Sequence, residues 1–148
     1  MHFISSLLLV GAVALTACNS GTGTDPVIPS VPVNGQLDLL DQQNKALRLD
    51  YGIVTIPPGS ANGHGGIKGI YVVRQNASTY LAFERNCPYQ PLDACATVTL
   101  DHSSHLFFRD SCCTSQFNLL GQVTGGPAAR PLRQYATSLN GSLLTITN

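Results

Sequence analysis

Apolar residues in this chain come in short runs cut by turn-forming residues. Leu47–Ile56 is stopped by Pro57-Pro58-Gly59, and Gly69–Arg74 is separated from Thr79–Glu84 by Gln75-Asn76-Ala77-Ser78. Ala96–Leu100 and His105–Arg109 flank Asp101-His102-Ser103-Ser104, while Arg133–Leu139 and Ser142–Thr147 flank Asn140-Gly141. Runs of Val, Ile, Thr, Tyr and Phe fit a pleated, half-buried surface, so each reads as a strand. Asn-Gly is a strong hairpin signal because a tight type I′ turn needs positive φ at both central residues. Leu37–Leu49 has room for one short helical turn, and no other segment reads as helix. There is no internal repeat. Many short strands at regular spacing predict an all-β domain, a sandwich or a small barrel.

The N-terminal segment follows different rules. Met1–Ala17 reads as a targeting segment, with an apolar run, Leu7–Leu15, too short to span a bilayer. It ends in Leu15-Thr16-Ala17-Cys18, which resembles the bacterial lipobox. That resemblance implies cleavage before Cys18 and a diacylglyceryl group on its thiol. The segment ahead of the apolar run departs from the pattern, with no Lys or Arg and only His2. Two or three acyl chains give durable attachment, at about 0.8 kcal/mol per buried methylene. The expected location is therefore the bacterial cell envelope, periplasmic or surface-facing, with the protein anchored in membrane lipid through Cys18 and not spanning it. Asn19–Val33 is rich in Gly, Ser, Thr and Pro, with Pro26, Pro29 and Pro32 every third residue. It reads as an extended tether reaching roughly 45 Å at about 3.1 Å per residue. The expected organisation is a signal peptide over 1–17, a tether over 18–33 and one domain over 34–148.

Charge narrows the function classes. Eight basic and eight acidic residues give a formal net charge of zero, and no basic stripe points to nucleic acid. Asn62-Gly63-His64-Gly65-Gly66 lacks the strand-loop-helix context of a phosphate cradle, so it reads as a mobile turn and nucleotide is not expected. His102 and His105 read as turn histidines, not metal ligands. Ser115 has no partner that reads as a base, and Arg130 and Arg133 read as a solvated face. No catalytic residue emerges. Of five cysteines, removing Cys18 leaves Cys87, Cys95, Cys112 and Cys113. An even number in an exported chain points to disulfides. Four cysteines suit tetrahedral zinc in principle, but Cys87 and Cys95 are too far apart for a knuckle and Cys112 and Cys113 are adjacent.

The stretch from Cys87 to Leu132 carries a wider pattern. Tyr80-Leu81-Ala82-Phe83 leads into a first loop, Ser115-Gln116-Phe117 follows a second, and Gly125-Gly126-Pro127-Ala128 comes after. Pro131-Leu132, Tyr135 and Asn140-Gly141-Ser142-Leu143 complete the series. In this order the segments resemble the Rieske family, whose members hold a [2Fe–2S] cluster between two loops with two Cys on one iron and two His on the other. The resemblance covers nearly all of the mature domain. It implies a Rieske-like β base with a loop subdomain over about 85–121, and a covering loop at Gly126, Pro127 and Ala128. The ligand positions themselves have changed. Cys87 occupies the first cysteine position. Tyr89 stands at the first histidine, Asp110 at the second cysteine and Cys113 at the second histidine. Phenolate and carboxylate are hard ligands, whereas sulfide-bridged iron favours thiolate and imidazole.

The resemblance therefore implies a member that has lost its cluster, so no cofactor is expected. Without one, the loop tips can close on each other. Cys112 matches a cysteine that bridges the two loops in part of the family; its usual partner position holds Leu92, with Cys95 three residues on. The favoured pairing is Cys87–Cys113 with Cys95–Cys112. Cys87–Cys112 with Cys95–Cys113 remains open, and a vicinal Cys112–Cys113 bond is strained. The expected function is non-enzymatic: a binding or structural component of the envelope whose covering loop meets an unidentified envelope protein. The alternatives are electron transfer through a [2Fe–2S] cluster on Cys87, Tyr89, Asp110 and Cys113, and a thiol–disulfide role for Cys112 and Cys113.

Overall fold

The computed structural model describes residues 27–59 and 65–148. The targeting segment, Cys18 and Asn62-Gly63-His64 of the glycine-rich loop lie outside these residues. Among the described residues no helix is long and apolar enough to cross a membrane.

The strands are β1 (Asn34–Asp38), β2 (Ile53–Ile56), β3 (Ile70–Asn76), β4 (Thr79–Glu84), β5 (Val98–Leu100), β6 (Phe107–Asp110), β7 (Gln116–Asn118), β8 (Val123–Gly125), β9 (Gln134–Asn140) and β10 (Leu143–Thr147). A 3-10 helix, Gln42–Arg48, joins β1 to β2. Six strands form one sheet in the order β1-β10-β9-β4-β3-β2, and four form a second in the order β5-β6-β7-β8. Every paired register is antiparallel. The all-β expectation holds.

The middle of the large sheet is buried on both faces. Successive side chains on a strand point to opposite sides. On β3, Ile70 and Val72 enter one core with Leu47, Tyr80, Ala82, Tyr135, Leu144 and Ile146. Tyr71 and Val73 enter a second core with Phe83, Val98, Phe108 and Phe117. The small sheet thus packs on the outer face of β3 and β4. At this seam Tyr71 stacks on Phe108 with ring centroids 4.6 Å apart. The Arg85 guanidinium lies 4.9 Å over the Tyr71 ring, and the Tyr71 hydroxyl accepts the Leu100 N–H at 3.0 Å.

Two expectations change. The strand predicted over Leu47–Ile56 begins only at Ile53, because Leu47 belongs to the 3-10 helix and is fully buried, and Tyr51 turns the chain with φ 63°. The stretch expected to be free tether up to residue 33 docks on the domain from its first described residues onward. Ile28 and Val33 are buried. Arg133, predicted on a solvated face, donates to the carbonyls of Pro29 at 2.7 Å and Ile28 at 2.5 Å. The Asn148 side chain holds Val33 N–H at 3.1 Å and Val31 O at 2.5 Å. Each apolar side chain so buried stabilises the contact by about 1.5–3 kcal/mol, and the polar side chains satisfy a backbone that would otherwise need water.

Candidate functional site

The first loop leaves β4 at Glu84, a fully buried carboxylate. Glu84 accepts N–H bonds from Ile67 at 2.8 Å, Lys68 at 2.9 Å and Asn86 at 3.1 Å, and the Tyr135 hydroxyl at 2.7 Å. Four donors are enough to hold a carboxylate out of water. From this anchor the loop is fixed residue by residue. Asn86 bridges to Thr97, and its side-chain amide donates to Pro91 O at 3.0 Å. The Cys87 N–H donates to Ala96 O at 3.1 Å. Lys68 Nζ reaches across to the carbonyls of Asp93 at 3.0 Å and Ala94 at 2.6 Å. Cys87 is thereby set at the base of the loop with no exposed surface.

The second loop turns on Asp110, the last residue of β6. Its Oδ1 accepts the N–H groups of Cys112 at 2.6 Å and Cys113 at 3.2 Å, a side-chain turn that a short acidic or amide residue makes best. The Asp110 carbonyl accepts the Thr114 N–H at 2.9 Å, and Thr114 takes φ 63° to close the loop. Ser115, fully buried, receives the Ala128 N–H on its Oγ at 3.1 Å, which ties the covering loop down. Gly126 in that loop has φ +85° and packs directly on the Ser115 backbone.

Two pairs of cysteines meet where the loops face each other. Cys95 and Cys112 form a disulfide with Cα atoms 5.8 Å apart. Its sequence separation of 17 corresponds to about 3 kcal/mol of loop-closure stabilisation. Leu92, at the family's usual partner position, is exposed instead. Cys87 and Cys113 also face each other, but as free thiols, not the expected bridge: their Sγ atoms are 3.6 Å apart. The Cys113 sulfur lies 3.0 Å from Ser115 Oγ. Sulfur, carboxylate and sulfur of Cys87, Asp110 and Cys113 all lie within 4.8 Å of one another. Asp110 Oδ2 is buried without a hydrogen bond of ordinary geometry, although the Cys87 thiol interacts with the Asp110 carboxylate. Burial pushes the Cys87 thiol well above its ordinary pKa of 9.0, and the neighbouring Asp110 carboxylate adds to the rise; the Tyr89 N–H works against it.

Of the predicted ligand positions, Cys87, Asp110 and Cys113 converge. Tyr89 contributes its backbone N–H to the Cys87 sulfur and packs its side chain on the second core. His102 and His105 instead line a cleft between the sheets with Tyr71 and Arg85, so no described histidine stands with the three donors. A second trio, Asp93, Cys95 and Cys112, is also close, but its sulfurs are consumed by the disulfide. The sequence reading passed over Lys68, Asn86 and the supporting role of Ser115. Lys68 and Ser115 act through contacts 13 to 26 residues away along the chain, and no local pattern signals them.

No family model matches the chain, and no curated protein matches it. Among solved structures, the chain is similar to the cyanobacterial plasma membrane Rieske protein PetC3 from Synechocystis PCC 6803. The two are 22% identical with a TM-score of 0.50, over 80% of this chain and 100% of that one. The chain, with its two antiparallel sheets, has a Rieske-like fold.

Proposed function

We propose that this chain is a lipid-anchored cell-envelope protein whose Rieske-like domain works without an iron–sulfur cluster, as a binding or structural module. The observation that carries the reading is the direct contact of Cys87 and Cys113, with sulfurs 3.6 Å apart. In the family pattern these two positions serve different irons of the pair. Ligands on different irons must straddle both metals and their bridging sulfides. The donor set does not fit such a cluster: among the described residues it is two thiols and a carboxylate with no imidazole, and Asp110 Oδ1 is already committed to two backbone N–H groups. Envelope location is supported by the Leu15-Thr16-Ala17-Cys18 lipobox. The covering loop, with Gly126 and Pro127 exposed, offers the surface for an envelope partner.

The test is chemical analysis of the full-length protein prepared anaerobically from its membrane fraction. The expected preparation is colourless, lacks iron and acid-labile sulfide, and carries a diacylglyceryl group on Cys18. Stoichiometric iron and sulfide with a red-brown absorption would replace this reading with electron transfer through a [2Fe–2S] cluster.

A further inference from the structure

Cys87, Cys113 and Asp110 are arranged for a single ion, not a pair. A tetrahedral metal with metal–sulfur bonds of about 2.3 Å holds two thiolates about 3.8 Å apart. The two sulfurs here are 3.6 Å apart without any covalent bond between them. The third donor is also in place. A carboxylate oxygen of Asp110 lies within 4.8 Å of both sulfurs, and its Oδ2 is buried without a hydrogen bond of ordinary geometry. Its sister oxygen is fixed by the Cys112 and Cys113 N–H groups, so the carboxylate cannot rotate away to find another donor. A buried carboxylate held in this way beside two thiols is placed to act as a ligand.

We infer that Cys87, Cys113 and Asp110 form a mononuclear tetrahedral site for a borderline divalent ion of the zinc class. The inference rests on the reading that no cluster is held between the loops. Two thiolates and one carboxylate offer three negative charges to two positive ones, and mixed sulfur and oxygen donors suit zinc. On binding, both thiols release their protons to solvent, because only the thiolate is a ligand. A fourth ligand would come from solvent, since Cys113 is the partly exposed member of the three. The site differs from a four-cysteine zinc site, since Cys95 and Cys112 are bonded to each other. Its place in the molecule is structural: the ion would join the base of the first loop to the second loop, beneath the covering loop.

The experiment uses full-length protein in detergent, isolated anaerobically and shown to carry two titratable thiols, with cobalt(II) as the spectroscopic probe and zinc(II) as competitor. One cobalt(II) per chain is expected, with thiolate charge-transfer absorption and the strong visible bands of a tetrahedral centre, and zinc(II) should displace it. Asp110→Asn keeps the Oδ1 acceptor for the loop N–H groups but replaces Oδ2 with an amide nitrogen. It should stay folded and weaken binding by at least about tenfold, the minimum expected for losing a first ligand when outer partners alone cost 10–100-fold. Cys113→Ser should cut the charge-transfer band to about half or less, since one of the two thiolates is lost. Folded, thiol-bearing protein that binds no cobalt(II), or binds it with a weak six-coordinate spectrum unaffected by Cys113→Ser, would overturn the inference. So would a Cys87–Cys113 bridge that mild reductant does not open. Iron and sulfide in the isolated protein would instead defeat the reading on which the inference rests.

Discussion

Cys87 and Cys113 are neighbours in space with different chemistry. Cys87 has no exposed surface, and burial together with the Asp110 carboxylate raises its pKa, so at neutral pH it is a protonated thiol. Cys113 is partly open to solvent. The thiolate is the nucleophile, and each unit of pKa changes its fraction tenfold. In metal-free protein at pH 8, iodoacetamide should therefore label Cys113 at least ~10-fold faster than Cys87. Peptide mapping by mass spectrometry over time gives both rates; equal rates would mean that Cys87 is exposed. At this scale the sequence was informative where a motif position could be counted. Cys87, Asp110 and Cys113 were each placed by their rank in the two-loop pattern. That Cys87 and Cys113 meet as thiols depends on Asp110 Oδ1 and Ser115 Oγ holding the second loop at one distance, and spacing does not encode a distance.

Among the elements, the covering loop fits tightly against the second loop. Gly126 has φ +85°, and a Cβ there would lie 2.5 Å from Ser115 Cα and 2.8 Å from Ser115 N. Gly141, in the β9–β10 hairpin, has φ +60° with nothing within 4 Å. Both replacements by Ala carry the penalty of a left-handed backbone, about 1 kcal/mol or somewhat more. Only Gly126→Ala must also displace backbone, adding about 1–3 kcal/mol. Urea denaturation should show Gly126→Ala as the more destabilised of the two, with unchanged m-values; equal losses would mean that the loop gives way freely. Element by element, legibility followed pattern length. β4 appears over Thr79–Glu84 as expected, and β9 and β10 form the expected hairpin, but its turn is Gly141-Ser142, with Asn140 the last residue of β9. β7 and β8 have three residues each, too few to show alternation, and β1 (Asn34-Gly35-Gln36-Leu37-Asp38) contains one large apolar side chain. Such strands exist because a neighbouring edge pairs with them, and that edge is elsewhere in the chain.

Across the whole molecule, Glu84 is where the first loop, the segment Gly65–Lys68 and β9 join. Tyr135 donates to it from β9. Burial, and then the Glu84 carboxylate, hold the Tyr135 phenol above its ordinary pKa of 10.0, with Arg133 acting in the opposite direction. The folded state thus keeps a proton that the unfolded chain loses near pH 10. The resulting stabilisation is complete below pH 10 and is lost as pH rises above it. Tyr135→Phe should be less stable at pH 7 by about 1.5–3 kcal/mol, the worth of a hydrogen bond to a charged group. It should also show a shallower decline in stability above pH 10 than the parent in denaturant titrations. Parallel declines would place the alkaline sensitivity elsewhere.

Were Cys18 lipidated as proposed, the docked N-terminal stretch would bias which end of the domain lies nearer the membrane. Val27 and Ile28 share a recess with Pro88, Arg130, Pro131 and Arg133, beside the loop end and away from the Asn140-Gly141 hairpin. Nine peptide steps separate Val27 from Cys18, roughly 30 Å at full stretch. With acyl chains on Cys18, the molecule would ride loops-down over the headgroups. A visitor to the covering loop would then arrive sideways, within a shallow layer of water above the lipid, and a small or itself membrane-bound visitor would have the advantage.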